Sequence, residues 1–199
     1  MIDVKPTVLD LFCGCGGWSL GFIQAGYRII AGIDTWQDAL DTFAFNHVDA
    51  KAIQADLFHI SPQEIKQQYD INHIDVIIGG PPCQGFSIAG KRMIDDERNQ
   101  LYKSFVEFVA LYQPKVFLME NVPNIISMGK GSIKEQIIQD FEALGYTINY
   151  KVLLAADFGV PQNRKRAFFV GLKNGQLFDF PKPLLSQVIT CQEAISDLS

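Results

Sequence analysis

Residues 7–17 read TVLDLFCGCGG, an apolar run that passes directly into a glycine-rich segment. A short apolar run bounded by glycines is typical of a buried strand, here predicted over 7–12. The glycines at its end allow a tight turn and a close approach of the backbone to a ligand. A helix is predicted over 18–25 and is ended by a glycine. The stretch therefore predicts a strand, a turn and a helix, the unit from which α/β folds are built.

The same alternation of apolar runs and amphipathic stretches continues through most of the chain. Further strands are predicted over 28–33, 51–55, 74–78, 116–119, 146–154 and 167–172. Further helices are predicted over 36–45, from Ser61 onward, over 98–111 and over 133–144. This order predicts an α/β fold of the Rossmann-like type, with a doubly wound, mostly parallel sheet and an antiparallel last strand.

Length and composition favour a single folded domain. Hydrophobic residues make up 48% of the 199 residues, and no stretch approaches about 18 consecutive apolar residues, which excludes a membrane span. We assign residues 1–172 to the domain and residues 173–199, which contain two prolines and little periodicity, to a C-terminal strap. The four cysteines are scattered and predict neither a disulfide framework nor a metal site. A reduced, cytoplasmic protein is expected.

The net charge of −5 argues mildly against a nucleic-acid partner, because binding to a phosphate backbone requires basic surface. The distribution of charge weakens that argument. Residues 1–78 carry ten acidic and four basic side chains, whereas residues 79–199 carry twelve acidic and thirteen basic ones. The basic groups of interest all lie in the second part, at Lys91, Arg92, Arg98, Lys103, Arg164, Lys165 and Arg166.

Acidic side chains follow the second and third predicted strands, at the edge where such sheets bind ligands. Asp34 can accept both hydroxyls of a ribose, although an aspartate there is also a good helix cap. Trp36 can stack on an adenine face or belong to the core, and Asp56 ends the third strand. The chain lacks the third glycine of the dinucleotide fingerprint and a phosphate-binding Lys-Ser/Thr pair. These features favour an adenosine-containing ligand without phosphate, which points to S-adenosylmethionine.

Three later segments carry side chains that suit catalysis. Cys83 follows two prolines, a rigid presentation that suits a nucleophile, although free cysteines are more often structural. Glu120 follows the apolar run VFLM and can be a general acid with a raised pKa, or a helix-capping or surface acid. Arg164 and Arg166 alternate in an extended segment, so they can converge on one anion or base edge, or form a solvated basic turn.

Seven short segments occur together with plausible gaps. They are DLFCGCGG at 10–17, Asp34-Thr-Trp36, Asp56-Leu57, GGPPCQGFSIAGKR at 79–92, DDERNQL at 95–101, ENV at 120–122 and QNRKR at 162–166. The set resembles that of the cytosine-5 DNA methyltransferases of the bacterial modification type, and its joint presence is highly specific. The resemblance covers about residues 7–172. It implies a methyltransferase fold and the transfer of a methyl group from S-adenosylmethionine to C5 of cytosine in DNA, as part of a restriction-modification system.

The resemblance also implies roles for single residues. Cys83 would attack C6 of a cytosine flipped out of double-stranded DNA, and Glu120 would protonate or hydrogen-bond N3 of that base. Arg166 would contact O2 of the base, Arg164 would support the thiolate side, and Asn121 would position the Cys83 loop. The residues implied to hold the cofactor are Phe12, Cys13, Gly14, Gly16, Asp34, Trp36, Asp56, Leu57, Pro81 and Leu101. No metal is implied, and the expected product is S-adenosylhomocysteine.

Family members usually continue into a target-recognition region and closing segments, and residues 190–199 resemble the lead-in to that region. We therefore expect a second chain that completes a split enzyme, or a truncated product, and cofactor binding by this chain alone that is weak or absent. Two other functions stay open. One is a transfer-RNA cytosine-5 methyltransferase, although PPCQGFSIAGKR looks more like the DNA enzymes. The other is a non-catalytic methyltransferase-like subunit, against which the intact Cys83 and Glu120 argue. Association with the nucleoid in the bacterial cytosol is expected.

Overall fold

The computed structural model describes residues 5–82, 100–184 and 189–198. The strands within them are β1 (Thr7–Leu11), β2 (Arg28–Asp34), β3 (Lys51–Gln54), β4 (Val76–Gly79), β5 (Val116–Asn121), β6 (Thr147–Leu154) and β7 (Lys165–Leu172). They form one sheet in the order β3-β2-β1-β4-β5-β7-β6. The first five strands are parallel to one another, and β7 is antiparallel to both of its neighbours. The predicted doubly wound, mostly parallel sheet is therefore confirmed.

Helices connect most of the strands. They are α1 (Gly17–Gln24), α2 (Gln37–Asn46), α3 (Pro62–Gln68), α4 (Gln100–Tyr112), α5 (Ser132–Glu142) and α6 (Cys191–Ile195). Ser61 caps α3 in a reciprocal capping box with Glu64. Helix α6 was not predicted, yet Thr190 and Glu193 form the same capping box at its start. Within the described residues, no helix is long and apolar enough to cross a membrane.

The antiparallel strand β7 brings its first residues to the edge where the parallel strands end. Glu120 at the end of β5 pairs with Phe168 of β7, and Leu153 of β6 pairs with Arg166 at the start of β7. The loops that follow the parallel strands therefore meet the segment that carries the two arginines. We call this side of the sheet the carboxyl edge and the opposite side the amino edge.

Apolar side chains cover both faces of the sheet and fix the helices on it. On one face, Phe105 of α4, Phe117 of β5 and Phe141 of α5 are fully buried and form a cluster of rings with centroids 4.0–6.1 Å apart. On the other face, Leu40 and Phe43 of α2 pack into a second cluster. Each aromatic pair contributes about 0.5–1.5 kcal/mol beyond its buried area. The helices are thus rigid supports for the loops at the carboxyl edge.

At the amino edge, the side chain of Asp75 joins the starts of three neighbouring strands. Its Oδ2 accepts hydrogen bonds from the backbone N–H of Thr7 at 2.9 Å and from the Thr7 hydroxyl at 3.0 Å. Its Oδ1 accepts from Nζ of Lys115 at 2.7 Å and lies 3.3 Å from Nε2 of His73. Burial acts to raise the pKa of Asp75, but these hydrogen bonds outweigh it and hold the pKa well below its usual range.

The C-terminal strap runs from the end of β7 back along the outer strand β6 toward the carboxyl edge. Near the start of β6, Nδ2 of Asn149 donates to the carbonyl of Phe178 at 2.6 Å. Beyond the end of β6, the thiol of Cys191 in α6 lies 3.2 Å from the carbonyl of Pro161. The strap was predicted as a linker without regular structure, and α6 is the exception to that prediction.

Candidate active site

Two cavities lie side by side at the carboxyl edge. The larger has a volume of about 410 Å³ and is lined by residues of β1, β5 and the β6–β7 pair, among others. The smaller has a volume of about 260 Å³ and is lined mainly by residues at and beyond the ends of β1, β2 and β3. Phe12 and Gly80 line both. The two cavities therefore share a wall, and ligands bound in them would be neighbours.

The larger cavity contains a carboxylate approached by two guanidinium groups. Nε of Arg166 lies 2.5 Å from Oε1 of Glu120, and Nη2 of Arg164 lies 3.8 Å from the same oxygen. The two arginines thus converge on one anion, as their alternate spacing in an extended segment allows. The second oxygen, Oε2, faces Gly80, where an added Cβ would lie 3.2 Å from it.

The Glu120 carboxyl group is set up to hold a proton more readily than an ordinary glutamate. Burial raises its pKa above the usual 4.5, and the charges of Arg166 and Arg164 oppose this effect without cancelling it. Only 16% of the side chain is exposed. The arrangement can therefore act as a general acid, with guanidinium donors beside it for an electronegative atom of a ligand.

Asn121 fixes the backbone that leads to Cys83. Its Nδ2 donates to the carbonyl of Pro81 at 3.0 Å, and its Oδ1 accepts from the backbone N–H of Val122 at 2.8 Å. Cys83 itself lies outside the described residues, so the hydrogen bond is made two positions before it. Pro81, expected at the cofactor, is buried and engaged with Asn121, whereas its neighbour Pro82 lines the smaller cavity.

Asp34 joins the loops that follow the first three strands. Its Oδ2 accepts from the N–H of Gly14 at 2.8 Å, and its Oδ1 accepts from the N–H of Trp36 at 3.0 Å. Its carbonyl accepts from the N–H of Ala55 at 3.0 Å. Each carboxylate oxygen keeps lone-pair capacity for a ligand, and Asp34 lines the smaller cavity. Asp34 is not the cap of α2, whose N-cap position is Trp36 and has no side-chain cap, so the helix-cap alternative was wrong.

The other predicted cofactor residues differ in position. Asp56, Leu57 and Leu101 line the smaller cavity, and Phe12 lines both cavities. Trp36 lines neither of the two, and 65% of its surface is exposed. The ring is therefore not part of the core, and its Nε1 donates to Asp38 at 3.3 Å.

The glycine-rich segment mainly shapes the turn. Gly14 and Gly16 have positive φ values of 52° and 87°, and neither lines one of the two cavities. A Cβ on Gly16 would clash with the ring of His47, whose Nε2 lies 3.1 Å from the Gly16 carbonyl. Gly16 is therefore required for packing against the end of α2. Cys13 is buried and lines the larger cavity, and burial raises the pKa of its thiol, which keeps it unreactive.

Several lining residues of the larger cavity were missed by sequence reasoning. Asp10 is 1% exposed, and burial raises its pKa to about 7 despite a hydrogen bond from Ser19. Its position near the end of β1 was a usable signal, of the same kind that singled out Asp34. The apolar lining had no comparable signal, because it depends on strand register and loop packing; it comprises Trp18, Leu153, Ala155, Phe158 and Phe168.

Known proteins with similar sequences are type II methyltransferases. M1.HphI of Haemophilus parahaemolyticus is 44% identical over 192 residues, which cover 95% of this chain and 52% of that protein. M.AquIA of Picosynechococcus sp. is 41% identical over 191 residues, which cover 90% of this chain and 77% of that protein. The chain therefore spans about half the length of M1.HphI and about three quarters of M.AquIA.

Structural similarity and a family model point the same way. A crystal structure described as a prophage-encoded DNA modification methyltransferase (E. coli) superposes with a TM-score of 0.81 at 35% identity. That match covers 96% of this chain and 54% of the other. The model of the C-5 cytosine-specific DNA methylases matches residues 6–198, and the chain belongs to this family.

Proposed function

We propose that this chain is the catalytic part of a DNA (cytosine-5) methyltransferase of a restriction-modification system. It would transfer a methyl group from S-adenosylmethionine to C5 of a cytosine flipped out of double-stranded DNA, leaving S-adenosylhomocysteine. The observation that carries the proposal is the pair of adjoining cavities. One holds Glu120 with its arginines, and the other holds Asp34 and Asp56. A base and a cofactor bound there would meet at the shared wall.

The smaller cavity has the chemistry that the cofactor requires. Asp34 would accept the ribose hydroxyls, Asp56 and Leu57 would meet the adenine edge, and Trp36 would stack on the ring. The cofactor carries a net positive charge, which suits the acidic balance of residues 1–78. Bound S-adenosylmethionine supplies an electrophilic methyl group.

Cys83 is the proposed nucleophile. Cytosine C5 reacts poorly on its own, but addition of the Cys83 thiolate to C6 forms an S–C6 bond and moves the C5=C6 electron pair to C5. After C5 has taken the methyl group, a base removes the C5 proton and the S–C6 bond breaks, which restores the aromatic ring and the thiolate. The hydrogen bond from Asn121 to the carbonyl of Pro81 supports a fixed approach of the backbone to Cys83.

Glu120 would prevent negative charge from building up on the base. Addition at C6 pushes electron density toward N3, and a proton from Glu120 keeps the ring neutral. The raised pKa of Glu120, which burial causes, supports this role because it favours the protonated carboxyl group. Arg166 would bind O2 of the base, and Arg164 would support the thiolate side. The proton returns to Glu120 when the adduct collapses.

The proposal extends to parts of the enzyme beyond the described cavities. A target-recognition region and closing segments would be supplied by a longer polypeptide or by a second chain. The chain covers 52% of M1.HphI and 77% of M.AquIA. These shares support the idea that relatives differ in how much polypeptide accompanies the catalytic part. Residues 1–172 would form the catalytic part and residues 173–199 the strap, and the enzyme would act in the cytoplasm, where its DNA lies.

DNA that contains 5-fluorocytosine tests the proposal. A base can remove a proton from C5 but not fluorine, so the S–C6 bond cannot break after methyl transfer, and the covalent adduct should accumulate in the presence of S-adenosylmethionine. We expect a DNA-linked band on a denaturing gel that maps to Cys83, with the carboxy-terminal half of a relative such as M1.HphI supplied in parallel. Cys83→Ser is the matched control and should give no adduct. The mechanism would be contradicted if the wild-type chain formed no adduct either alone or with the added carboxy-terminal half, or if the adduct formed at another residue.

A further inference from the structure

Ser104 lies on α4, away from the Glu120 ion pair, and has no part in the chemistry described above. It is 7% exposed, and its hydroxyl donates to the carbonyl of Leu57 at 2.6 Å, across 47 positions of the chain. Leu57 is 4% exposed and lines the smaller cavity. This hydrogen bond connects Ser104 to the backbone of the proposed cofactor site.

The Leu57 carbonyl belongs to a turn that is otherwise held by its own groups. The side chain of Asp56 accepts from the N–H of Phe58 at 2.9 Å. The carbonyl of Asp56 accepts from the N–H groups of His59 and Ile60, at 2.9 and 3.1 Å. A buried carbonyl without a donor is costly, and the Ser104 hydroxyl supplies that donor. The orientation of the peptide group after Leu57 is thereby fixed from outside the turn.

Helix α4 contacts the same cavity at a second point. Leu101, three residues before Ser104 and therefore on a neighbouring part of the same helix face, lines the smaller cavity. Phe105 and Phe108 of this helix are fully buried against the sheet. The hydroxyl therefore stands on a rigid element, which is the kind of support that holds a binding group in place.

We propose that Ser104 is a positioning residue that holds Asp56 and Leu57 at the spacing needed to recognise the adenine edge of the cofactor. The inference deepens the proposed function and rests on it. A site that hydrogen-bonds a ligand edge at a fixed spacing discriminates strongly against a ligand whose donors are altered. Removal of the Ser104 hydroxyl should therefore reduce the discrimination between adenine and an altered base, in addition to any loss of protein stability.

Amide hydrogen exchange of the ligand-free chain tests whether Ser104 supports the turn. Ser104→Ala should raise the exchange rate of residues 58–60 about tenfold and leave the β6–β7 pair unchanged. Tyr102→Phe is the matched control, because it removes another hydroxyl of the same helix, one that donates to Asp140 at 3.1 Å. Unchanged exchange at residues 58–60 in Ser104→Ala would overturn the inference.

Ligand discrimination tests the positioning role itself. Equilibrium dialysis, on the same protein that forms the 5-fluorocytosine adduct, measures the affinities of S-adenosylhomocysteine and of S-inosylhomocysteine, in which oxygen replaces the adenine amino group. We expect the wild type to prefer the adenosyl compound and Ser104→Ala to reduce that preference by about tenfold. Ser104→Thr, which keeps a hydroxyl, should restore the preference, and Tyr102→Phe should keep it.

The outcomes separate the two proposals. Binding of both ligands with an unchanged preference in Ser104→Ala would overturn the role of Ser104 and leave the proposed function intact. A wild-type protein that binds neither compound would overturn the proposed function and this inference together.

Discussion

Asp75 and Glu120 are carboxylates at opposite edges of one sheet, and each lies beside basic side chains. Their exposed fractions are similar, at 12% and 16%, so exposure alone does not distinguish them. The hydrogen bonds of Asp75 hold its pKa below the usual range, whereas burial keeps that of Glu120 above it. Asp75 uses both oxygens, Oδ2 for Thr7 at the start of β1 and Oδ1 for Lys115 just before β5, while the arginines beside Glu120 approach Oε1.

The contrast separates a carboxylate that holds the fold from one that is suited to chemistry. A carboxylate with donors on both oxygens is strongly favoured in its ionised form, and it ties together the groups that donate to it. A carboxylate in a cavity wall with its donors gathered on one oxygen lies closer to the balance between its two protonation states. Such a balance is what a proton donor needs, and it is obtained at some cost in stability.

The largest effect should follow Glu120→Gln. We expect methyl transfer to fall by about 10²–10⁴-fold, because an amide can hydrogen-bond N3 but cannot deliver a proton to it. The free energy of unfolding should change by less than about 1 kcal/mol, since the arginine partners are partly solvated. Incorporation of labelled methyl groups and denaturant unfolding measure the two quantities. A fully active glutamine variant would remove Glu120 from the chemistry.

Asp75→Asn should have the opposite profile. We expect the free energy of unfolding to fall by about 1–3 kcal/mol, because the amide cannot accept from both Thr7 and Lys115 on its two sides. The methyl-transfer rate of the folded variant should stay at the wild-type level, because the residue lies at the far edge of the sheet. Urea denaturation and initial rates below the unfolding transition provide the measurements. An Asp75→Asn variant with a reduced methyl-transfer rate and unchanged stability would contradict the structural role of Asp75.

The pH dependence of stability should differ in sign between the two sites. Asp75 has a lowered pKa in the folded state, so its contribution is present above its ordinary 3.8 and is lost as the pH falls below that value. Glu120 has a raised pKa, so its ionisation costs stability as the pH rises above its ordinary 4.5.

Between pH 3 and 8, the difference in unfolding free energy between the wild type and each variant should therefore change with pH, in opposite directions for the two variants. The advantage of the wild type over Asp75→Asn should shrink below about pH 4, and Glu120→Gln should gain on the wild type above about pH 4.5. Asp10 also titrates in this range, but it is common to all three proteins and cancels in the differences. Parallel curves for the three proteins would show that neither carboxylate is perturbed.

The smallest effect should follow Lys115→Met. The Lys115 side chain is 79% exposed, so its hydrogen bond to Asp75 is largely screened by solvent, and we expect a loss of about 0.5 kcal/mol. Raising the salt concentration should reduce the difference further. A loss as large as that of Asp75→Asn would mean that the ion pair, rather than the Thr7 bonds, ties the strands together.

The fold was largely predictable because its elements are marked locally. Apolar runs located all seven strands of the described residues to within about two residues. Strand β4 was predicted over 74–78 and spans Val76–Gly79; Ile74 lies outside it although it is buried like a strand residue. Helix α6 was missed although its capping box could be read from Thr190 and Glu193.

The site was predictable only where a single segment determines it. The approach of Arg164 and Arg166 to one anion followed from their spacing, but Glu120 as that anion depends on the antiparallel pairing of β5 and β7. The need for Gly16 comes from His47, which lies 31 positions away and has no local signature. Long-range contacts of this kind are fixed by packing, which one sequence does not display.

The two outer strands of the sheet differ in how they avoid unwanted pairing. Strand β3 has only four residues, whereas β6 has eight and exposes 41% of Val152. A long outer strand with free backbone groups is a template on which another polypeptide can add, and it is a common route to aggregation. The strap lies along β6 and is bonded to it through Asn149 and Phe178. The segment that looked like a linker is therefore held against this outer strand near its start, at Asn149.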